Sequence, residues 1–245
     1  MSARSEPTTQ PRVVTGLPSV YALLEDDRDL VLLERSEALG PVTTLTVASP
    51  ELSAPLCRAA LAHGAEVAVS IWDPALDGVD YLGVAHVLAC AVRSLCEARS
   101  ATAVLVLAGD RGRGAVGPAV AERLSVPHFG SVEEVSLDKN GLRFSRRFGA
   151  QLRSYRGAPP VVLGLLLRPA ADVGIEATPV TAQTMKSLDL VALGITAPEL
   201  TYRRNFQPTA GPCPRQKPHV TTAAALAARL ARDGMWPILD PESGG

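Results

Sequence analysis

The sequence predicts an α/β protein built on a doubly wound, mostly parallel sheet, with a hairpin insertion and an extended C-terminal arm. Three observations predict it. Short apolar or β-branched runs at 42–48, 67–71 and 104–107 alternate with helical stretches, the pattern that right-handed βαβ crossovers produce. The run Val104, Leu105, Val106, Leu107 is apolar throughout, as in a parallel strand covered on both faces. A glycine-rich turn then joins that strand to a helix: Gly109, Gly112, Gly114 and Gly117 fall within nine residues.

Each element has a local reason. Residues 1–18 read as a flexible N-terminal tail, with only a weak strand signal at 12–17. Residues 29–39 have helical composition, and Gly40-Pro41 ends that helix. Residues 42–48 are rich in β-branched side chains and read as a strand. Ser53 is placed to cap a helix over 54–63, which Gly64 terminates. Residues 67–71 form the next strand. Within 83–96, Val84, Val87, Leu88, Ala91 and Leu95 recur at helical spacing on one face. After the glycine-rich turn, Pro118 suits the first turn of a helix, where its missing N–H costs nothing. Val116, Val120 and Leu124 line one face of that helix. Asn140-Gly141 lies between alternating segments at 132–138 and 142–148 and predicts a hairpin with a primed turn. An apolar strand follows at 161–167. The α/β domain is therefore expected over 19–198. Residues 199–245 read as a C-terminal arm and helix: 201–219 is proline-rich and extended, and 221–232 is amphipathic along Leu226, Ala227 and Leu230.

In such sheets ligands bind beyond the carboxyl ends of the strands. The Ala48-Ser49-Pro50 turn and the glycine-rich turn both fall there. The candidate nucleotide-binding residues are Ala48, Ser49, Ala108, Gly109, Asp110, Arg111, Gly112, Arg113, Gly114, Ala115, Val116 and Gly117. Glycines let backbone approach a ligand, and a helix start offers free N–H groups and a positive dipole end. Arg111 and Arg113 are suited to bidentate phosphate contact; the plain alternative is a solvated loop tip. Asp110 either bonds a ligand or caps the following turn. The segment lacks G-x-G-x-x-G and the Lys-Ser/Thr of a P-loop.

Composition removes several function classes. The chain has 245 residues, 47% of them hydrophobic, and a net charge of −1, so neither nucleic acid nor an anionic membrane is a general partner. The longest apolar run, 158–167, is far short of the ~20 residues of a membrane span. The polar start carries no signal peptide, so a cytoplasmic location is expected. Cys57, Cys90, Cys96 and Cys213 form no C-x-x-C pair and do not cluster in sequence with His63, His86, His128 or His219, so no metal site is expected. No nucleophile-and-base motif appears, so the chain is not expected to be an enzyme on its own.

Several segments, in order and spacing, carry a resemblance. Residues 57–66 (CRAALAHGAE) resemble the R-x-A-L-A-x-G-A-D segment of the β subunit of electron transfer flavoproteins. Ala115-Val116-Gly117-Pro118, with the helix and Val126-Pro127 after it, resembles that family's Q-V-G-P…A-x-x-L-x-x-P. Arg146, the later Pro160-Val161-Val162, and Met185-Lys186 are similar to its Arg, P-A-V and I-M-x-A. The resemblance runs from about Asp26 to Arg215. It implies an adenine nucleotide hydrolase-like α/β fold. It implies a heterodimer with an electron transfer flavoprotein alpha subunit that holds the electron-carrying FAD, and AMP (or a second FAD) in this chain. It implies a dehydrogenase docking between Ile175 and Lys186. The function so implied is passage of electrons from a dehydrogenase to an acceptor. A free-standing adenine-nucleotide sensor, or a structural subunit that has lost its nucleotide, are the alternatives. The chain departs from the family in a shorter glycine-rich loop, in Asp26-Asp27 where the family has Asn-Pro, and in Thr181-Ala182 where it has Leu-Pro.

Overall fold

The computed structural model describes residues 18–99, 104–110, 115–138, 141–167 and 184–204. Nine strands form one sheet: β1 (Ser19–Leu23), β2 (Val42–Val47), β3 (Val67–Ile71), β4 (Val104–Gly109), β5 (His128–Asp138), β6 (Gly141–Phe148), β7 (Gln151–Gly157), β8 (Val161–Leu165) and β9 (Thr184–Leu188). Their order is β7-β6-β5-β8-β4-β1-β2-β3-β9. From β5 to β9 all neighbours pair parallel, while β6 and β7 are antiparallel additions at one edge. Among the described residues five α-helices accompany them: α1 (Val31–Ser36), α2 (Pro50–Ala62), α3 (Tyr81–Ala98), α4 (Val116–Leu124) and α5 (Ala197–Arg204). This is the α/β sheet that the sequence predicts.

Strand parity sorts the core into two layers. Tyr21, Leu45, Val69, Val106 and Val162 point to one face, where they meet Val87, Leu88, Ala91 and Val92 of α3 and Val120 of α4. Val20, Ala22, Leu105, Leu107 and Leu163 point to the other, against Leu32 and Leu33 of α1 and Leu56 and Ala60 of α2. Helix α3 has 18 residues and a mean hydropathy of 1.2, enough by length and composition for a membrane span. Its apolar face is spent on the sheet.

Several expectations change. The first strand among the described residues is Ser19–Leu23, which was not expected; the weak strand signal at 12–17 lies outside the described residues with the rest of the expected tail up to 17. A five-residue apolar run at the sheet centre has no alternation to announce it. The expected helix at 29–39 is broken: a 3-10 turn at Asp27–Leu30 precedes α1, and another at Glu37–Leu39 follows it. Gly40 then turns the chain at φ 111°. Helix α2 starts at Pro50, not at 54, because proline's fixed φ suits the first helical position. Ser53 therefore sits inside the helix, and its hydroxyl meets that of Ser70 at 2.7 Å, tying α2 to β3. The two expected alternating segments do pair antiparallel, with Asp138 opposite Gly141. The strands β7 and β9 were not anticipated. Residues 201–204 belong to α5 rather than to an extended arm; the rest of the expected arm and the terminal helix lie outside the described residues.

Candidate functional site

The chain runs from β1 to β2 on one side of β1 and returns to β4 on the other. This makes the carboxyl end of β1 a switch point, where the loops diverge and leave a crevice. A cleft of about 550 Å³ occupies it. Leu23 ends β1 and Leu24 follows it, Val47 ends β2, Val79 and Asp80 precede α3, Tyr81, Val84 and Leu88 lie on α3, and Ala115 and Val116 open α4. The walls are mainly apolar. The polar groups are Glu25 at the rim and Asp80, whose Oδ1 accepts the Gly83 amide (2.9 Å) and so caps α3. No cationic side chain lines the cleft among the described residues.

Of the expected site residues, Ala115 and Val116 line this cleft. Ala115 stands at the N-cap of α4 without a side-chain cap bond. Ser49 stands at the N-cap of α2, also without one. The Ser49 hydroxyl faces Glu51 instead, whose carboxyl is held below its usual range by its own backbone N–H and by that hydroxyl. Ala48 lies in the turn between β2 and α2. Arg111, Gly112, Arg113 and Gly114 lie outside the described residues. In sequence they join β4 to α4.

Three of the expected residues have packing reasons for their identity. A Cβ on Gly109 would stand 2.5 Å from Asp29 Oδ1 and 3.0 Å from Leu167 Cδ1. A Cβ on Gly117 would meet the Ala108 side chain at 3.2 Å, so this glycine lets α4 lie close on β4. Asp110 turns away from the cleft: its Oδ2 accepts from the Ser131 amide (2.7 Å) and hydroxyl (3.1 Å). Ser131 has φ 55° and sits where β5 breaks register. Asp110 therefore holds a bulge in place.

Asp29 is the residue that sequence reasoning passed over. It is 6% exposed. Its Oδ2 accepts from the amides of Glu25 (2.8 Å) and Asp26 (3.3 Å), bending the chain as it leaves β1. Asp26 completes a capping box and binds Arg28 through both carboxylate oxygens. The signal was present as D-x-x-D before an apolar run, a variant of the capping box. Of the pair Asp26-Asp27, which stands where the family has Asn-Pro, Asp26 carries a guanidinium and Asp27 is exposed.

His128 lies under the same carboxyl edge. A Cβ on Gly117 or Gly164 would meet its Nε2 at 3.5 or 3.3 Å. Burial lowers its pKa, and Asp110 and Arg146 act on it in opposite directions. The thiols of Cys57, Cys90 and Cys96 are each pushed up by burial, so they are not ready thiolates. Among the described residues no group of three His, Cys, Asp or Glu could hold a metal ion.

Nucleotide is the ligand class to test against this geometry. The volume and the valine-rich walls fit a nucleoside. The two carboxylates fit hydroxyl or amino donors, not phosphate. A phosphate would depend on Arg111, Arg113 and the amides that open α4.

Comparison with known proteins follows the same ground. The sequence model of the electron transfer flavoprotein domain matches residues 26–165. The electron transfer flavoprotein subunit beta of Clostridium acetobutylicum is 27% identical over 163 residues, covering 65% of this chain and 61% of that protein. Protein FixA of Azorhizobium caulinodans is 28% identical over 176 residues, 66% of this chain and 60% of the relative. Protein FixA of Bradyrhizobium diazoefficiens is 31% identical over 141 residues, 54% and 47% of the two chains. The chain spans about three fifths of the length of the first two relatives.

Proposed function

We propose that this chain, which belongs to the electron transfer flavoprotein domain family, is the beta-type subunit of a two-chain electron carrier. Its relatives are a subunit beta and two FixA proteins, and the matched region contains most of the cleft's loops. The partner alpha subunit holds FAD, which takes up and gives up electrons. This chain supplies a nucleotide-sized cleft and a rigid sheet against which that subunit is positioned. It breaks no substrate bond. The observation that carries the reading is the cleft at the β1/β4 switch point, with α4 opening onto it uncapped.

In this reading a nucleoside lies along Val47, Val79 and Val84, and Glu25 accepts from its hydroxyl or amino groups. AMP is the nucleotide of choice. Its phosphate meets the α4 amides, where the helix dipole contributes about 0.3–1 kcal/mol. Arg111 or Arg113 adds a charge-assisted bond of about 1.5–3 kcal/mol. A dehydrogenase docks between Ile175 and Lys186. The end of that segment opens β9 and exposes Thr184, Met185 and Lys186.

The second reading is a subunit that has given up its nucleotide; the carboxylates at the cleft and the absence of a lining cation among the described residues favour it. Co-expression with a flavin-bearing alpha subunit, followed by denaturing extraction and assay of released nucleotide, separates the two. The first reading expects AMP in the extract and its loss in Gly114→Val, with the complex still formed and yellow. A yellow complex with an empty extract leaves the second. Failure of any alpha subunit to co-purify sinks both.

A further inference from the structure

Residues 141–157, which contain β6 and β7, hold five arginines and no acidic residue, in a chain whose net charge is −1. Two of the five are answered by carboxylates of β5: Arg143 by Asp138 (3.3 Å) and Arg147 by Glu133 (3.0 Å). Arg146 donates to the Gly130 carbonyl. Arg153 and Arg156 meet no carboxylate among the described residues. Arg146 and Arg153 stand directly opposite each other across the ladder, an arrangement that like charges disfavour. Both guanidiniums rest on the Phe148 ring, at 5.0 and 5.1 Å. The ring spreads and partly offsets this charge.

The strand that carries Arg153 and Arg156 is also the last of the sheet. Its outer backbone groups pair with nothing among the described residues. Sheets commonly blunt such an edge with charge, and arginines alone would say no more than that. Here, however, Phe148 is 42% and Leu152 49% exposed beside the same edge. Large apolar side chains do not protect an edge; they anchor what lies on it.

We propose that the outer edge of β7 is a docking strand for an extended acidic segment of a partner polypeptide. The main chain of the segment continues the ladder beyond β7. Strand parity puts Arg153 and Arg156 on opposite faces of the sheet, so the segment carries a carboxylate on each face, one for each arginine. Leu152 and Phe148 pack against its apolar residues. A second copy of this chain is a poor occupant, because two β7 edges would set arginine against arginine. A nucleic acid answers the charge but has no N–H and C=O row to continue the sheet. The proposal is independent of whether the cleft holds a nucleotide.

The test uses the full chain and a fluorescent peptide the length of β7, built on valine and threonine with two glutamates three residues apart. Two control peptides carry lysines for the glutamates or N-methyl groups at alternate amides. Anisotropy should show the acidic peptide binding roughly tenfold or more tighter than either control. Hydrogen exchange should slow at alternate β7 amides only with the acidic peptide. Arg153→Glu combined with Arg156→Glu should reverse the preference toward the lysine peptide. Equal binding of the N-methylated peptide would overturn strand addition. Tighter binding of a short oligothymidylate would overturn the choice of a polypeptide. No peptide binding, with the double variant merely aggregating, would reduce the arginines to edge protection.

Discussion

In β8 every residue from Val161 to Leu165 is buried, whereas β7 exposes six of its seven. The two strands belong to one sheet, yet their sequences answer to different constraints. In β8, β4 and β1 both faces are buried, and a residue is fixed by the shape of its neighbours. In β7 both faces are largely exposed and the outer edge is unpaired among the described residues, so charge and hydrogen-bonding capacity decide. Stability should therefore be concentrated in the parallel strands and be nearly indifferent to the arginine wing.

The strongest way to break that contrast is to cut into the parallel core. Leu163 is fully buried between β4 and β5. Leu163→Ala should cost about 2–5 kcal/mol through lost burial and a residual cavity, read as a lower urea midpoint. A loss no larger than that of a wing substitution would mean the two regions are equally packed.

The next effect is at the junction of β1 and β4. Asp29→Ala leaves the Glu25 and Asp26 amides without their acceptor and should cost about 1–3 kcal/mol. Gly109→Ala drives a methyl against Asp29 Oδ1 and should cost about 1–3 kcal/mol. The two should not add, because removing the Asp29 carboxylate makes room for the methyl. Additive losses in a double-mutant cycle would show that the glycine serves something other than this contact.

A smaller effect is set by pH. Burial holds the His128 pKa below its unfolded value of about 6.5. As pH falls, the unfolded chain takes up this proton first. The stability from a neutral His128 is therefore present above about pH 6.5 and is lost on acidification through that range. His86, lowered chiefly by burial, acts in the same sense. Replacing His128 with Gln should flatten the decline in urea midpoint between about pH 7.5 and 5.5. An unchanged slope would assign the decline to His86 and the carboxylates.

The smallest expected change is in the wing. Phe148→Ala removes the ring beneath two guanidiniums and should cost about 0.5–1 kcal/mol, as exposed cation–π contacts do. A thermal melt should barely move. A shift like that of Leu163→Ala would place Phe148 in the core and end the comparison.

The same contrast explains what the sequence could disclose. Residues 42–47, 67–71 and 104–109 are legible because burial on both faces demands apolar or β-branched runs there. Ser19–Leu23 has that composition too, but it directly follows Gly16-Leu17-Pro18 and the weak strand signal at 12–17, which obscure where a strand begins. Strand β7, QLRSYRG, has no apolar face to betray it. It is a strand because β6 offers a ladder and Tyr155 stacks on Phe144 at 5.3 Å. The cleft was half legible. Of the described residues in the glycine-rich segment, Ala115 and Val116 line the cavity. The other walls come from Leu23, Val47, Val79 and Val84, ordinary apolar residues that only topology brings together. Gly109 and Asp110 were conspicuous for another reason: one makes room for Asp29, and the other holds Ser131.

Strand β5 changes allegiance along its length. His128 and Phe129 pair with β8, and from Glu134 to Asp138 the strand belongs to β6. At the crossover, Asp110 holds Ser131 from the β4 side, and Arg146 holds the Gly130 carbonyl from the wing side. The strand is thus a beam clamped at a single fulcrum. Its short arm lies in the parallel sheet and its long arm carries β6 and β7. The direction in which β6 and β7 leave the parallel sheet is thus tied to a bulge gripped from both strands, by Asp110 and by Arg146.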